Sequence, residues 1–107
     1  ADIRRLIREA PAIPEALPEA MEPIRRRMAE IAADVAADNG LTLAELRGDS
    51  REFAVSHPRQ FAMLMMSDAG HATNAIGRFF KRDHSTVAHG IRAARERVRR
   101  LEEGRSE

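Results

Sequence analysis

The fold class this sequence predicts is all-α, a compact helical bundle, and three observations predict it. Hydrophobic residues make up 43% of the 107, yet aromatics are 4%, all of them Phe, so a core must come from Ala, Leu, Ile, Val and Met. β-branched residues are sparse while Ala, Arg, Glu and Leu are abundant, which is a helical bias. Apolar residues also recur at spacings of three and four, the period of a one-sided helix. The length suits one ordinary domain with a single modest core.

The elements follow in chain order. Ile3, Leu6, Ile7 and Ala10 form a short stripe that Asp2 can cap, so a short helix is expected over 2–10. Residues 11–23 then hold four of the five prolines and three Glu, a density that forbids a regular helix and favours an extended tether. Residues 1–23 are therefore read as an arm or linker. Over 24–39, Ile24, Met28, Ile31 and Val35 share one face, and Asn39-Gly40 supplies a stop. Thr42-Leu43-Ala44-Glu45 has capping-box spacing, predicting a short helix to Arg47 that Gly48 ends. Residues 48–56 read as a loop, with Pro58 at the first position of the next helix. Phe61 to Met66 is apolar all round and predicts a buried central helix ending near Gly70, its three methionines in the core.

Thr73 to Phe80 predicts a helix of about two turns, Lys81-Arg82 a tight turn, and Asp83 the N-cap of a last helix over 84–102. Val87, Ile91, Ala94, Val98 and Leu101 form its seam. The domain expected is 24–102, with a tail at 103–107. Two helices joined by so short a turn, the second longer and cationic, make a helix-turn-helix. With Val87 facing inward, Ser85, His89, Arg92, Glu96 and Arg99 fall on the opposite side, and His84 and Thr86 flank the first turn. Short polar groups at the leading end suit base edges in a major groove, and Arg along the shaft suits phosphates.

Charge is consistent with a polyanion partner. Residues 1–57 carry 8 basic and 11 acidic side chains, whereas 78–100 carry 8 basic and 2 acidic. Such a cluster attracts polyanions at long range. Of the basic residues only Lys81 is Lys; Arg forks suit phosphates and guanine edges, though a composition bias accounts for much of this. The absence of Cys excludes disulfides and Cys-ligated metals. His84 and His89 are five apart, not the four that align two ligands on one helix face, so no metal site is expected. Asp83, His84 and Ser85 are adjacent on one turn and cannot line up as a catalytic triad. No apolar run approaches the roughly 20 residues of a bilayer span. The expectation is a non-enzymatic, cofactor-free, cytoplasmic and nucleoid-associated chain with no membrane partner.

Particular residues sharpen this. Lys81-Arg82-Asp83-His84-Ser85-Thr86-Val87-Ala88-His89 resembles the Gly-Arg-Asp-His-Thr-Thr-Val-x-His signature of the bacterial replication initiator DnaA family. Pro58-Arg59-Gln60-Phe61-Ala62-Met63 resembles its Pro-Arg-Gln-x-Ala-Met run, and Ile76-Gly77-Arg78 with Phe80 its Ile-Gly-x-x-Phe. Leu43, Leu46, Gly48, Ser50 and Arg51 also fit, so the resemblance covers about 24–101 in order. It is to the C-terminal DNA-binding domain, a Trp-repressor-like helical bundle, without the ATPase module; no Gly-x-x-x-x-Gly-Lys-Ser/Thr loop occurs in the sequence.

The resemblance implies duplex DNA as partner. It implies base contacts from Arg82, Asp83, His84, Ser85 and Thr86 in the major groove and from Arg51 in the minor groove. It implies phosphate contacts from Arg59, Gln60 and Arg92, and the cationic end of the helix adds Lys81 and His89. Three features depart from the family: the turn is one residue shorter than the usual Phe-Gly-Gly-Arg, Ser85 replaces Thr, and Ser67 stands where a Lys is common. These departures and the Pro-rich arm favour the DNA-binding module of a transcriptional regulator; the alternative is the DNA-binding fragment of an origin-recognising initiator. From another class comes a protein-interaction module that kept the fold, with the 1–23 arm or the Met-rich region as partner surface. RNA binding fits less well, because four Phe offer few stacking platforms.

Overall fold

The computed structural model describes residues 26–105, which form five helices in this order: α1 (Met28–Asp38), α2 (Leu43–Arg47), α3 (Phe53–Asp68), α4 (Thr73–Phe80) and α5 (His84–Arg105). The arm at 1–23 and the helix expected at 2–10 lie outside the described residues. The all-α expectation holds across the described span. Helix α3 packs against each of the other four. Ile31, Ala32, Val35 and Ala36 from α1, Leu46 from α2, and Ala62, Met63 and Met66 from α3 meet Ile76 and Phe80 from α4 and Val87 from α5 in one core. Each large aliphatic or aromatic side chain so buried stabilises the fold by about 1.5–3 kcal/mol.

Local chemistry sets most boundaries. The capping box of α2 is formed as its spacing predicts: the Glu45 amide donates to Thr42 Oγ1 (3.0 Å) and the Thr42 amide to Glu45 Oε1 (2.9 Å). Three helices end in the same Schellman geometry, in which two amides past the end fold back onto carbonyls of the last turn. After α1, Gly40 and Leu41 donate to Ala37 and Ala36; after α3, Gly70 and His71 donate to Ser67 and Met66; after α4, Lys81 and Arg82 donate to Gly77's turn, at Arg78 and Gly77. The geometry needs a left-handed residue, and Gly40 (φ 67°) and Gly70 (φ 100°) supply it without a Cβ. The third position holds Lys81 at φ 56°. A left-handed non-glycine residue costs roughly 1–2 kcal/mol, while added backbone freedom of the unfolded chain offsets part of the relief from removing it. Lys81→Gly is therefore expected to stabilise the domain by about 1 kcal/mol, read as a higher urea midpoint in the absence of DNA; an unchanged or lower midpoint contradicts the strain.

The structure corrects four expectations. Pro58 is the sixth residue of α3 and not its first, so the loop is 48–52 and not 48–56. The start is set instead by the Glu52 carbonyl, which accepts from both Val55 and Ser56 amides. The hydrogen bond Pro58 cannot make leaves the carbonyl of Ala54, an exposed residue where solvent can supply the donor. The Phe61–Met66 run is not buried all round: Ala62, Met63, Leu64 and Met66 are inside, while Phe61 and Met65 are partly exposed, so two and not three of its methionines are core. On the last seam Val87 and Ala94 are buried but Leu101 is 67% exposed, because the seam outruns the helices it packs on. Finally α5 continues to Arg105, three residues past its expected end.

Candidate nucleic-acid interface

The turn between α4 and α5 is three residues long, and its tightness comes from Gly77. A Cβ built there would lie 2.6 Å from the Arg82 carbonyl oxygen, so the chain can double back only over a bare Cα. Asp83 then caps α5 as expected, its Oδ1 accepting from the Thr86 amide at 2.8 Å. That hydrogen bond, together with the Thr86 hydroxyl, His84 and the Ser85 amide, holds the Asp83 carboxyl below the usual carboxylate range. A depressed carboxylate stabilises the fold fully above its unfolded pKa, about 4, and loses that contribution as pH falls through the lower folded value. Asp83→Asn is therefore expected to keep most of the cap but flatten the acid limb of stability below pH 5, read as urea midpoints from pH 3 to 7. An acid limb identical to wild type would show that Asp83 is not the titrating cap.

Past the cap, His84, Ser85, Thr86, His89 and Arg92 are all exposed, while Val87 and Gly90 on the same helix are buried. The helix is thus anchored on one side and offers its leading turn on the other. Gly90 permits the close crossing with α3: a Cβ there would meet Met63 Sδ at 3.0 Å and Gln60 Cγ at 3.2 Å.

The structure brings the loop arginine to this turn. Asp49, Ser50 and Arg51 from the α2–α3 loop, Ser56 and Arg59 from α3, and Arg82 and Thr86 line one polar cleft of about 620 Å³. Three guanidiniums and one carboxylate therefore meet beside the start of α5. Arg51 is exposed and, with Lys81, Arg78 and Arg92, has no ion pair among the described residues. The later arginines differ. Arg95 pairs with Asp68, and Arg99 and Arg100 pair with Glu96, Arg99 also with Glu103. Among the described residues, Arg51, Arg78, Lys81 and Arg92 are thus left without an ion pair beside the leading turn of α5, while much of the later Arg charge on the helix is matched by Glu96, Glu103 and Asp68.

Three residues stand differently from expectation. Arg59 is 6% exposed; its Nε donates to the Leu46 carbonyl (2.7 Å) and its Nη1 to the Ser50 carbonyl (3.0 Å). It lies beneath the loop and not on the surface where a phosphate ligand was expected. Burial foremost, and Arg82 next, push its guanidinium pKa down, and Asp49 partly restores it. Gln60 lies outside the cleft, its Oε1 accepting from Arg97 Nη2 at 2.5 Å. Arg82, expected to read bases, is half-buried and donates through Nη1 to Phe80 O (2.8 Å) and through Nη2 to Gly48 O (2.7 Å). Two residues were missed. Asp49 is the only acid lining the cleft among the described residues. Arg47 ties α2 to α4, donating to Phe79 O at 3.0 Å with its guanidinium 4.5 Å from the Phe79 ring centre. Nothing local in the sequence marks either, since both act across tertiary contacts.

Among the described residues there is no cluster of metal-ligating side chains, and no helix is long and apolar enough to cross a membrane. The profile of the family described as bacterial dnaA protein helix-turn-helix matches residues 28–93, which runs from the start of α1 into the middle of α5. Among curated proteins, the chain is similar to the chromosomal replication initiator protein DnaA of Deinococcus deserti, 34% identical over 80 residues covering 74% of this chain and 18% of that protein. It is likewise similar to the DnaA proteins of Deinococcus radiodurans, 38% identical over 72 residues (66% and 16%), and Desulfotalea psychrophila, 36% over 67 residues (62% and 14%). The chain thus spans less than a fifth of the length of these relatives. The match takes in the capped α2, the cleft-lining loop, the glycine-pinched turn and the leading half of α5, and the chain belongs to the bacterial DnaA helix-turn-helix family.

Proposed function

We propose that this chain binds double-stranded DNA sequence-specifically, with the first turn of α5 in a major groove and Arg51 in the adjacent minor groove. One observation carries the reading: Arg51, 35 residues from Thr86 in sequence, lines the same cleft beside the exposed His84, Ser85 and Thr86. Thr86, Ser85 and His84 supply short donors and acceptors for base edges, and Asp83 orients them by capping. Arg92, Lys81 and His89 flank this turn and hold phosphates. The mutual repulsion of Arg51, Arg59 and Arg82 is relieved when a polyanion closes over the cleft.

Within this reading the biological role is origin recognition as part of a replication initiator. The relatives carry that name, which favours this role over the transcriptional-regulator role that the sequence departures and the arm suggested. The setting is the nucleoid.

Fluorescence anisotropy tests the proposal on duplexes containing a DnaA-type box and on scrambled duplexes of equal length, across a salt series. The expected result is tighter binding to the box and a log–log salt slope that counts a few phosphate contacts. His84→Ala is expected to weaken box binding about tenfold, near 1.4 kcal/mol, with little effect on scrambled DNA. Equal affinity for both duplexes, untouched by His84→Ala, would falsify the proposal.

A further inference from the structure

We infer that Arg82 is a positioning residue, bracing the α2–α3 loop so that Arg51 is held at a fixed distance from the leading turn of α5. The inference deepens the DNA-binding reading and rests on it.

The loop between α2 and α3 has only Gly48 to Glu52 between two helices, and Arg51 extends from it with no ion-pair partner among the described residues. A long side chain on an unsupported loop loses much of its contact energy in being ordered. This loop is supported from two sides. From below, Arg59 donates to Leu46 O and Ser50 O, at the loop's root and immediately before Arg51. From the side, Arg82 reaches back 34 residues to Gly48 O while its other terminal nitrogen holds Phe80 O, at the end of α4. One planar guanidinium therefore joins the helix-turn-helix turn to the loop. Both distances, 2.7 and 2.8 Å, are those of well-formed hydrogen bonds. Its two terminal nitrogens are taken up inward, which leaves Arg82 poorly disposed to reach a base itself.

The chemistry explains why Arg and not Lys occupies this place. An ammonium is a point charge with no fixed fork, and cannot hold two carbonyls of different segments in one plane. The brace spans the two parts of the surface that would read different grooves, so it sets their spacing.

The first test needs no DNA. Amide hydrogen exchange at Gly48 and Glu52, whose amides donate to Glu45 O and Ser50 Oγ, is expected to accelerate at least tenfold in Arg82→Lys, with the α1, α3 and α5 cores unchanged. Exchange at wild-type rates overturns the brace. A chain-wide acceleration does too, since it would make Arg82 a general stability residue. The second test is a double-mutant cycle on box DNA. If Arg82 acts through Arg51, Arg82→Lys weakens binding despite keeping its charge, yet in an Arg51→Ala background it adds less than about threefold. Independent, multiplying losses overturn the inference in favour of a direct contact by Arg82. Full affinity in Arg82→Lys also overturns it, in favour of charge alone. A wild type that does not distinguish box from scrambled DNA fails the DNA-binding reading, and the inference with it; that outcome is told apart by its presence before any residue is changed.

Discussion

Gly77→Ala is expected to destabilise the domain by about 2–3 kcal/mol, the upper part of the range for overpacking a close contact. The added Cβ would sit 2.6 Å from Arg82 O and 3.7 Å from Val87 Cγ2. The nearer atom is backbone and cannot swing aside as a flexible side chain does, so the turn itself must open. Opening it lengthens the hydrogen bond from the Arg82 amide to Gly77 O, now 2.9 Å, which closes the end of α4. It also displaces Asp83 and with it the start of α5. Helix propensity works the other way, favouring Ala over Gly by about 1 kcal/mol inside a helix, but the steric term outweighs it here. Gly104→Ala is the control. Nothing lies within 4 Å of a Cβ there, so only propensity operates and stability should be unchanged or slightly higher. Urea denaturation of both variants at constant m-value decides the matter; a Gly77→Ala domain within 0.5 kcal/mol of wild type would show that the turn relaxes freely.

The same turn shows what the sequence made legible and why. Thr42 with Glu45, the helix Thr73–Phe80 and the Asp83 cap were readable because each depends on residues within four positions of one another. The order of α5's two faces was readable for the same reason, from one helical period. Failures came where a local signal competed with a distant one. Pro58 is a common first residue of a helix, yet α3 begins five residues earlier, where Glu52's carbonyl collects two amides and Phe53 stacks on His57 with ring centres 4.6 Å apart. Leu101 keeps the spacing of its seam but reaches only the rim of an apolar groove it shares with His57, Phe61 and Val98. Periodicity gives a side chain's direction and says nothing about whether another helix extends far enough to meet it. The cleft was legible as a set of residues and illegible in its directions. Motif resemblance named Arg51, Arg59 and Arg82 together, and only coordinates separate the one facing out from the two holding the loop.

Arg59 carries the second large effect, and its burial decides the sign. Removing it in Arg59→Ala leaves the buried Leu46 O and the part-buried Ser50 O without their donors; the buried one costs about 1–3 kcal/mol and the part-buried one less, since water reaches it. Two terms oppose this. Nη2 of Arg59 is itself buried without a partner, and the guanidinium lies close enough to Arg82 for repulsion to lower its pKa. Relief of both returns part of the loss, while the cavity left by the side chain adds to it. The net expectation is a destabilisation of about 2–4 kcal/mol, since two lost acceptors and a void outweigh one freed donor. Arg59→Met separates the contributions. It fills the volume but donates nothing, so it should recover the cavity portion and leave the hydrogen-bond portion. A surface phosphate ligand would behave otherwise: both variants would unfold at the wild-type urea concentration and differ only in DNA affinity and salt slope. Denaturation without DNA therefore distinguishes an arginine that builds the loop from one that grips a phosphate, and a wild-type midpoint in Arg59→Ala would return Arg59 to the surface role its motif suggested.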